Sequence, residues 1–405
     1  EDVSFLEKGP YRIRLKPNRN TTLIDWNWNG IFGEKNVRAD INYGYSTTAG
    51  HRYTIDKAHC SPYFVEDTNN VFLLYGKLGK QPEKGENPNI DPSNPGALLM
   101  RRLIGEKTWS EPLKIMDGLT GDPSGAFFEG CFWIFAPTKN GILVYRYWGY
   151  PEKNKTPAIY GLNDSQNKKV TSFVLMNRLV VFMQNAETHE VYYTIWKKDR
   201  FIKNQLLETK STNPVGACVD TIKNVIVLTT GENQGDEKPS RWQVRYYLLE
   251  NETLSELAMD WIEGEEGQAR GDGRLLTLFD NGKDAGKDGR IYIFGPGLRR
   301  DTNSPWTGMY TAHQISDKTV RGGWLVKRYY DEWTNSRSAP AITWYNGDVL
   351  FAYRWVDGHQ GETDSNLQVA YYGLGIEKDL MGDHDDLFFI AKYGLRRSIL
   401  YLASE

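Results

Sequence analysis

The chain of 405 residues can bury a large core, and its 49 Lys and Arg stand against 52 Asp and Glu for a net charge of −3. Because these charges are scattered, the concentrated basic face that a nucleic-acid partner requires is excluded. No apolar stretch approaches the roughly 20 residues of a membrane-spanning helix. Aromatics make up 13% of the chain, with 13 Trp and 24 Tyr, and 39 Gly and 17 Pro punctuate it throughout. That composition calls for short strands and tight turns, not helical bundles.

Residues 1–58 precede the first clear repeat and start at Glu1, with neither an initiator Met nor a signal-like apolar segment. That start suits a mature secreted protein, and equally a trimmed chain. Within this segment Asp25, Asn27 and Asn29 place oxygen side chains at alternate positions ahead of Gly30. Such a pattern suits a Ca²⁺ loop, with Asp40 as a later ligand. It departs from an EF-hand, whose twelfth position would here be Asn36. An Asx-rich turn held by its own side chains is the other reading.

From residue 62 one pattern recurs: a short apolar strand, a tight polar turn, then a strongly apolar strand. The first strands begin at Pro62, Gly125, Ser172, Gly216, Leu275 and Ala341. Several of the turns contain Asn-Gly, Glu-Gly or Asp-Gly, which favour the positive φ of hairpins. The second strands begin near 71, 131, 179, 225, 290 and 349, in steps of 60, 48, 46, 65 and 59. A third, more clearly alternating strand follows each hairpin, at Leu99, Ile142, Val191, Val244, Met309 and Leu367. A hairpin-plus-strand unit with this period predicts an all-β fold, a β-propeller of six blades closed by N- and C-terminal strands. Seven blades result if the termini build one of their own. The blades are expected near 59–121, 122–167, 168–212, 213–267, 268–334 and 335–405, within a single domain.

Two motifs carry a family resemblance. Gly105-Glu106-Lys107-Thr108-Trp109-Ser110-Glu111-Pro112 resembles the tail of the Asp-box hairpin of sialidases and related propeller lectins. It lacks the Ser and Asp expected ahead of the Gly, and its Gly-to-Trp spacing is one residue long. Asp boxes are structural turns, so this resemblance implies fold and not activity. Tyr11-Arg12-Ile13-Arg14 is similar to the aromatic-Arg-Ile-Pro motif of those enzymes, with Arg14 in place of the Pro. There the Arg helps clamp a substrate carboxylate, which makes Arg12, with Arg337 as a second arginine, the catalytic-site candidates. Solvated strand arginines are the alternative. No spacing identifies the Tyr nucleophile and carboxylates that such an enzyme also needs.

Aromatic residues outside the apolar strand cores are the remaining signal. Trp148, Trp242, Trp306, Trp333 and Trp355, with Arg354, sit in or beside predicted turns and loops. Loops at one end of a propeller bind ligands, and exposed rings stack on the apolar faces of sugars. The competing use of such rings is packing between blades. Cys60, Cys131 and Cys218 cannot all pair within one chain, and buried free thiols are expected. His189-Glu190 lacks a zinc-protease partner, because position 193 is Tyr193. The sequence thus predicts a secreted, lectin-like propeller that binds a carbohydrate or glycoconjugate, with Ca²⁺ as the candidate cofactor. The alternatives are a sialidase-like glycoside hydrolase and a propeller that binds a protein partner.

Overall fold

A computed structural model describes residues 53–67, 70–83, 86–105, 108–162, 167–232, 241–262, 275–280, 289–298, 307–314, 324–329, 341–345, 348–356 and 365–372, with two short strands at 12–14 and 25–27. Strand β1 (Arg12–Arg14) pairs antiparallel with β2 (Asp25–Asn27). Strand β3 (Tyr53–Lys57) comes next in the chain.

Six larger antiparallel sheets follow. In the first, β4 (Tyr63–Glu66), β5 (Val71–Lys77) and β6 (Gly96–Gly105) lie in chain order, and β7 (Thr108–Trp109) and β8 (Leu113–Leu119) both pair with β6. The second orders β9 (Ser124–Phe128), β10 (Cys131–Thr138), β11 (Gly141–Trp148) and β12 (Ala158–Leu162). The third runs β13 (Asn167–Leu175), β14 (Arg178–Asn185), β15 (Glu190–Lys197), with β16 (Arg200–Phe201) and β17 (Gln205–Lys210) both on β15. The fourth is β18 (Gly216–Asp220), β19 (Val225–Glu232), β20 (Arg241–Glu250) and β21 (Thr253–Ile262). The fifth is β22 (Leu276–Asp280), β23 (Arg290–Leu298), β24 (Thr307–Gln314) and β25 (Trp324–Tyr329). In the sixth, β26 (Ala341–Tyr345), β27 (Asp348–Val356) and β28 (Ser365–Tyr372) are joined by β3 beside β28. By compactness the chain forms two units: Ile55–Thr343 with Ala352–Gln368, and Glu1–Thr54 with Trp344–Phe351 and Val369–Glu405.

Each second strand starts at, or within one residue of, its expected position: Val71, Cys131, Arg178, Val225, Arg290 and Asp348. The hairpin turns explain why. Glu129 and Gly130 both take positive φ between β9 and β10, and Met176 and Asn177 do so between β13 and β14. Two consecutive positive φ angles make the turn whose twist matches paired strands. Two of the fourth strands, β12 and β17, are short and half wet. They alternate exposed with more buried residues and carry little apolar signal.

The core follows from period two. Neighbouring side chains of a strand point to opposite faces, so a strand that is apolar at both parities must be covered on both. In β10, Phe132 and Ile134 pack with Phe72, Leu74, Leu98 and Met100 of the first sheet. Trp133 and Phe135, between them in sequence, pack with Leu179, Val181 and Met183 of the third. Val180 and Phe182 of β14 then meet Ile226 and Leu228 of β19, and Val227 meets Ile291 and Ile293 of β23. The first five sheets therefore stack face to face in chain order. Each large side chain buried there contributes about 1.5–3 kcal/mol.

Candidate functional site

Along β11, Val144, Arg146 and Trp148 share one face, because each is two residues from the next. The row runs outward: Val144 is fully buried, Arg146 partly so, and Trp148 is 56% exposed. Register places Trp133 of β10 directly opposite Arg146. The Arg146 guanidinium lies 4.9 Å from the centroid of Trp133, 5.0 Å from that of Trp148 and 5.2 Å from that of Trp196 on β15. Its Nε donates to Cys131 Sγ at 3.3 Å, and the Tyr160 hydroxyl is a further hydrogen-bonding neighbour. Trp133 and Trp196 meet edge to face at 4.7 Å, and Phe201 packs on Trp196 at 5.0 Å. This is a cation held among indoles, opening to solvent at Trp148. Just beyond, Gly149 turns the chain with φ +71°, and its N–H donates to Gly130 O at 2.8 Å.

A second cluster lies beside the first along the chain. The Tyr150 hydroxyl donates to Asp67 Oδ2, which pushes the phenol pKa up, with burial adding to it. Asn70 Nδ2 bridges Asp67 Oδ1 at 3.0 Å and the Tyr150 hydroxyl at 2.8 Å. The exposed Arg102 donates to Asn70 Oδ1 and lies 5.5 Å from the Tyr150 ring centroid. These groups satisfy one another.

Small polar groups on the first strands of the sheets link them to their neighbours. Ser124 and Ser172 share a hydroxyl hydrogen bond of 2.8 Å, and Tyr63 donates to Ser172 O at 2.7 Å. Thr277 donates to Thr229 at 2.9 Å. Thr343 donates to Glu66 Oε2. Glu66 reaches solvent, yet the protein crowding its carboxyl pushes the pKa up.

A fourth assembly surrounds the end of β3. Asp56 accepts from Lys77 Nζ at 2.7 Å, from the Tyr75 hydroxyl at 2.6 Å and from Arg101 at 3.0 Å. Burial pushes the Asp56 carboxyl up, but these donors and the Lys57 N–H together outweigh it and hold it at about 2. Burial, reinforced by the same carboxylate, pushes the Tyr75 phenol up. Nearby, His59 is 1% exposed. Its Nδ1 accepts from Leu78 N–H at 3.2 Å. Burial first, and then the charge of Arg354, lower its pKa to about 4.

The structure distributes the expected site residues unevenly. Trp148 is the exposed ring described above. Trp242 is 4% exposed and packs with Val227, Val244 and Ile291 in the core. Arg354 is buried, and its guanidinium donates to Ser365 Oγ at 2.8 and 3.0 Å and to Pro88 O at 3.0 Å, with Asn89 as a further acceptor. It therefore ties the long segment after β5 to the sixth sheet. Trp355 lies in β27, Arg12 in β1, and Asp25 and Asn27 in β2. Trp306, Trp333, Arg337, Asn29 and Asp40 lie outside the described residues. Among the described residues no group of three or more His, Cys, Asp or Glu could hold a metal, and all three cysteines are free thiols.

Sequence reasoning missed Arg146, Tyr160 and Trp196. The signal was present for the first: Arg146 interrupts the apolar parity of its strand, which an outward-facing arginine would not do.

Of the motif at 105–112, Gly105 ends β6 and Thr108 and Trp109 form β7. Leu103 pairs with Trp109, whose ring stacks on Phe64 at 6.4 Å. Its role here is packing.

No family model matches the chain, and no curated protein matches it in sequence. Solved structures do resemble it. The α-L-arabinanase of Penicillium chrysogenum, complexed with arabinobiose, superposes with a TM-score of 0.51 at 12% identity, covering 80% of this chain and 98% of that one. The α-L-arabinofuranosidase of Fusarium graminearum, also with arabinobiose, gives 0.50 at 10% identity over 80% and 98%. At that identity the likeness is one of fold alone: this chain has the stacked antiparallel sheets, of four or five strands, of a β-propeller.

Proposed function

We propose that this chain is a secreted, six-bladed β-propeller that binds glycans, with Trp148 as a stacking platform. The observation that carries the reading is an indole 56% exposed at a strand end and backed by a guanidinium. An exposed Trp loses little conformational entropy on binding and offers a flat apolar face, which suits the C–H face of a sugar ring. Six sheets, the last completed by β3, support the blade count. The arabinobiose complexes of the two similar structures agree with a carbohydrate ligand. Extracellular location and a Ca²⁺ site at Asp25, Asn27, Asn29 and Asp40 belong to the same proposal.

The test is a broad glycan array probed with the wild-type chain and with Trp148→Ala, each with and without a calcium chelator. Selective binding that the substitution removes supports the reading. Loss on chelation as well implicates Ca²⁺, whereas indifference to chelator removes Ca²⁺ from the proposal. A blank array sinks the glycan reading and favours a protein partner. The hydrolytic alternative has one observation in its favour: burial raises the pKa of Glu66, the direction in which a general acid is tuned. Release of reducing ends from bound oligosaccharides would replace the binding reading with that one.

A further inference from the structure

Among the described residues no carboxylate pairs with the charge of Arg146. Its partners there are a thiol sulfur, a phenol and three indole rings. Other arginines of the same unit are treated differently. Arg101 pairs with Asp56 at 3.0 Å and Arg245 with Glu256 at 2.5 Å. Cys131 Sγ takes the Nε–H and the Tyr160 hydroxyl a further hydrogen bond, while indole faces stabilise the cation without answering the remaining in-plane N–H donors. Those donors are a fork that matches a planar carboxylate. Trp148, two residues on and on the same face, supplies an apolar wall beside that fork.

We propose that Arg146 and Trp148 together form a subsite for an acidic sugar, a uronic acid whose carboxylate pairs with the guanidinium while its ring stacks on the indole. This inference rests on the glycan-binding reading and narrows it to an anionic ligand class. The partly apolar surround strengthens the ion pair relative to one in open water, because fewer solvent dipoles screen it. No bond forms or breaks. The site is an adsorption site at the end of β11.

The test measures dissociation constants of the full-length chain for uronate oligosaccharides and for the same oligosaccharides methyl-esterified, which removes the charge and keeps the ring. Oligogalacturonate, oligoalginate and hyaluronan fragments serve as probes, beside a panel of neutral oligosaccharides. The wild type is expected to prefer at least one acid over its ester by on the order of ten-fold or more, the worth of a charge-assisted hydrogen-bonded pair. That preference should weaken as salt is raised. Arg146→Gln should remove the preference and Arg146→Lys keep part of it, whereas Trp148→Ala should weaken acid and ester alike. Lys114→Gln, which removes one exposed charge elsewhere, should leave the preference intact. Equal affinity of the wild type for acid and ester overturns the inference without needing any variant. So does a preference that survives Arg146→Gln or falls equally with Lys114→Gln. Binding confined to neutral oligosaccharides overturns the acidic ligand and leaves the glycan reading standing, while binding to none overturns both.

Discussion

Replacing Asp56 by Asn tests the electrostatic account of the β3 edge. The carboxyl is held at about 2 against an ordinary 3.8. At about 1.4 kcal/mol per pH unit, the difference corresponds to about 2 kcal/mol of folded-state stability. The side chain of Asp56 is 8% exposed, so most of that survives solvent screening, but Lys77 is 40% exposed and its share is the weaker. Asp56→Asn should therefore cost about 2 kcal/mol at pH 7, less than the 3–5 kcal/mol lost when a fully buried pair is broken. The sign follows from the lowered pKa. The contribution is complete above about pH 4, where an unfolded Asp is ionised, and is lost as pH falls through 2. Urea unfolding of both proteins at a series of pH values between 7 and 2 reads this directly. Wild type should lie above the variant at pH 7, and the gap should close toward pH 2. Coincident midpoints at pH 7, or a gap that persists at pH 2, would refute the reasoning.

His59 predicts a second, separate window. Its pKa is about 4 in the fold and 6.5 ordinarily, so its contribution of about 3 kcal/mol is present above pH 6.5 and lost as pH falls to 4. His59→Gln should flatten the stability profile over that range, measured by the same unfolding series. Arg354→Ala removes the donors that hold Pro88 and Ser365, and should cost about 3 kcal/mol. It should also open the segment 78–95 to limited proteolysis, detectable by mass spectrometry of the fragments. Gly125→Ala would place a Cβ 2.6 Å from Val65 Cγ2 and 2.8 Å from Trp133 O. Backbone cannot yield as a side chain can, so the expected loss is about 1–3 kcal/mol, seen as a lower Tm.

Local chemistry made the strands legible. The runs at 131–136 and 179–183 are apolar at both parities, and that alone requires a sheet on each face. The turns at Glu129–Gly130 and Met176–Asn177 show how far the local signal extends, since both adopt two positive φ angles though only one contains glycine. Where the turn signal is absent, pairing with the neighbouring strand enforces the conformation.

Tryptophan shows where that reading stopped. Trp148 and Trp242 look alike in sequence, each at the edge of an apolar run. Yet one is 56% exposed and the other 4%. The difference lies in what arrives from elsewhere: Ile262 pairs against Trp242 from β21, while Trp148 ends its strand beyond the last pair of β11 with β12. Arg354 likewise reads as an exposed loop residue until Pro88 and Asn89, more than 260 positions away, supply its acceptors.

The sequence by itself determined the all-β class, the recurring hairpin-plus-strand units and the starts of their second strands, because period and turn chemistry act over a few residues. Only the tertiary structure decided that β3 completes the sixth sheet, that Arg354 and Trp242 are buried, and that Arg146 sits among three indoles with no described carboxylate beside it. Those outcomes depend on contacts between distant segments, and neither the burial of a ring nor the partner of a charge is set by its neighbours in the chain.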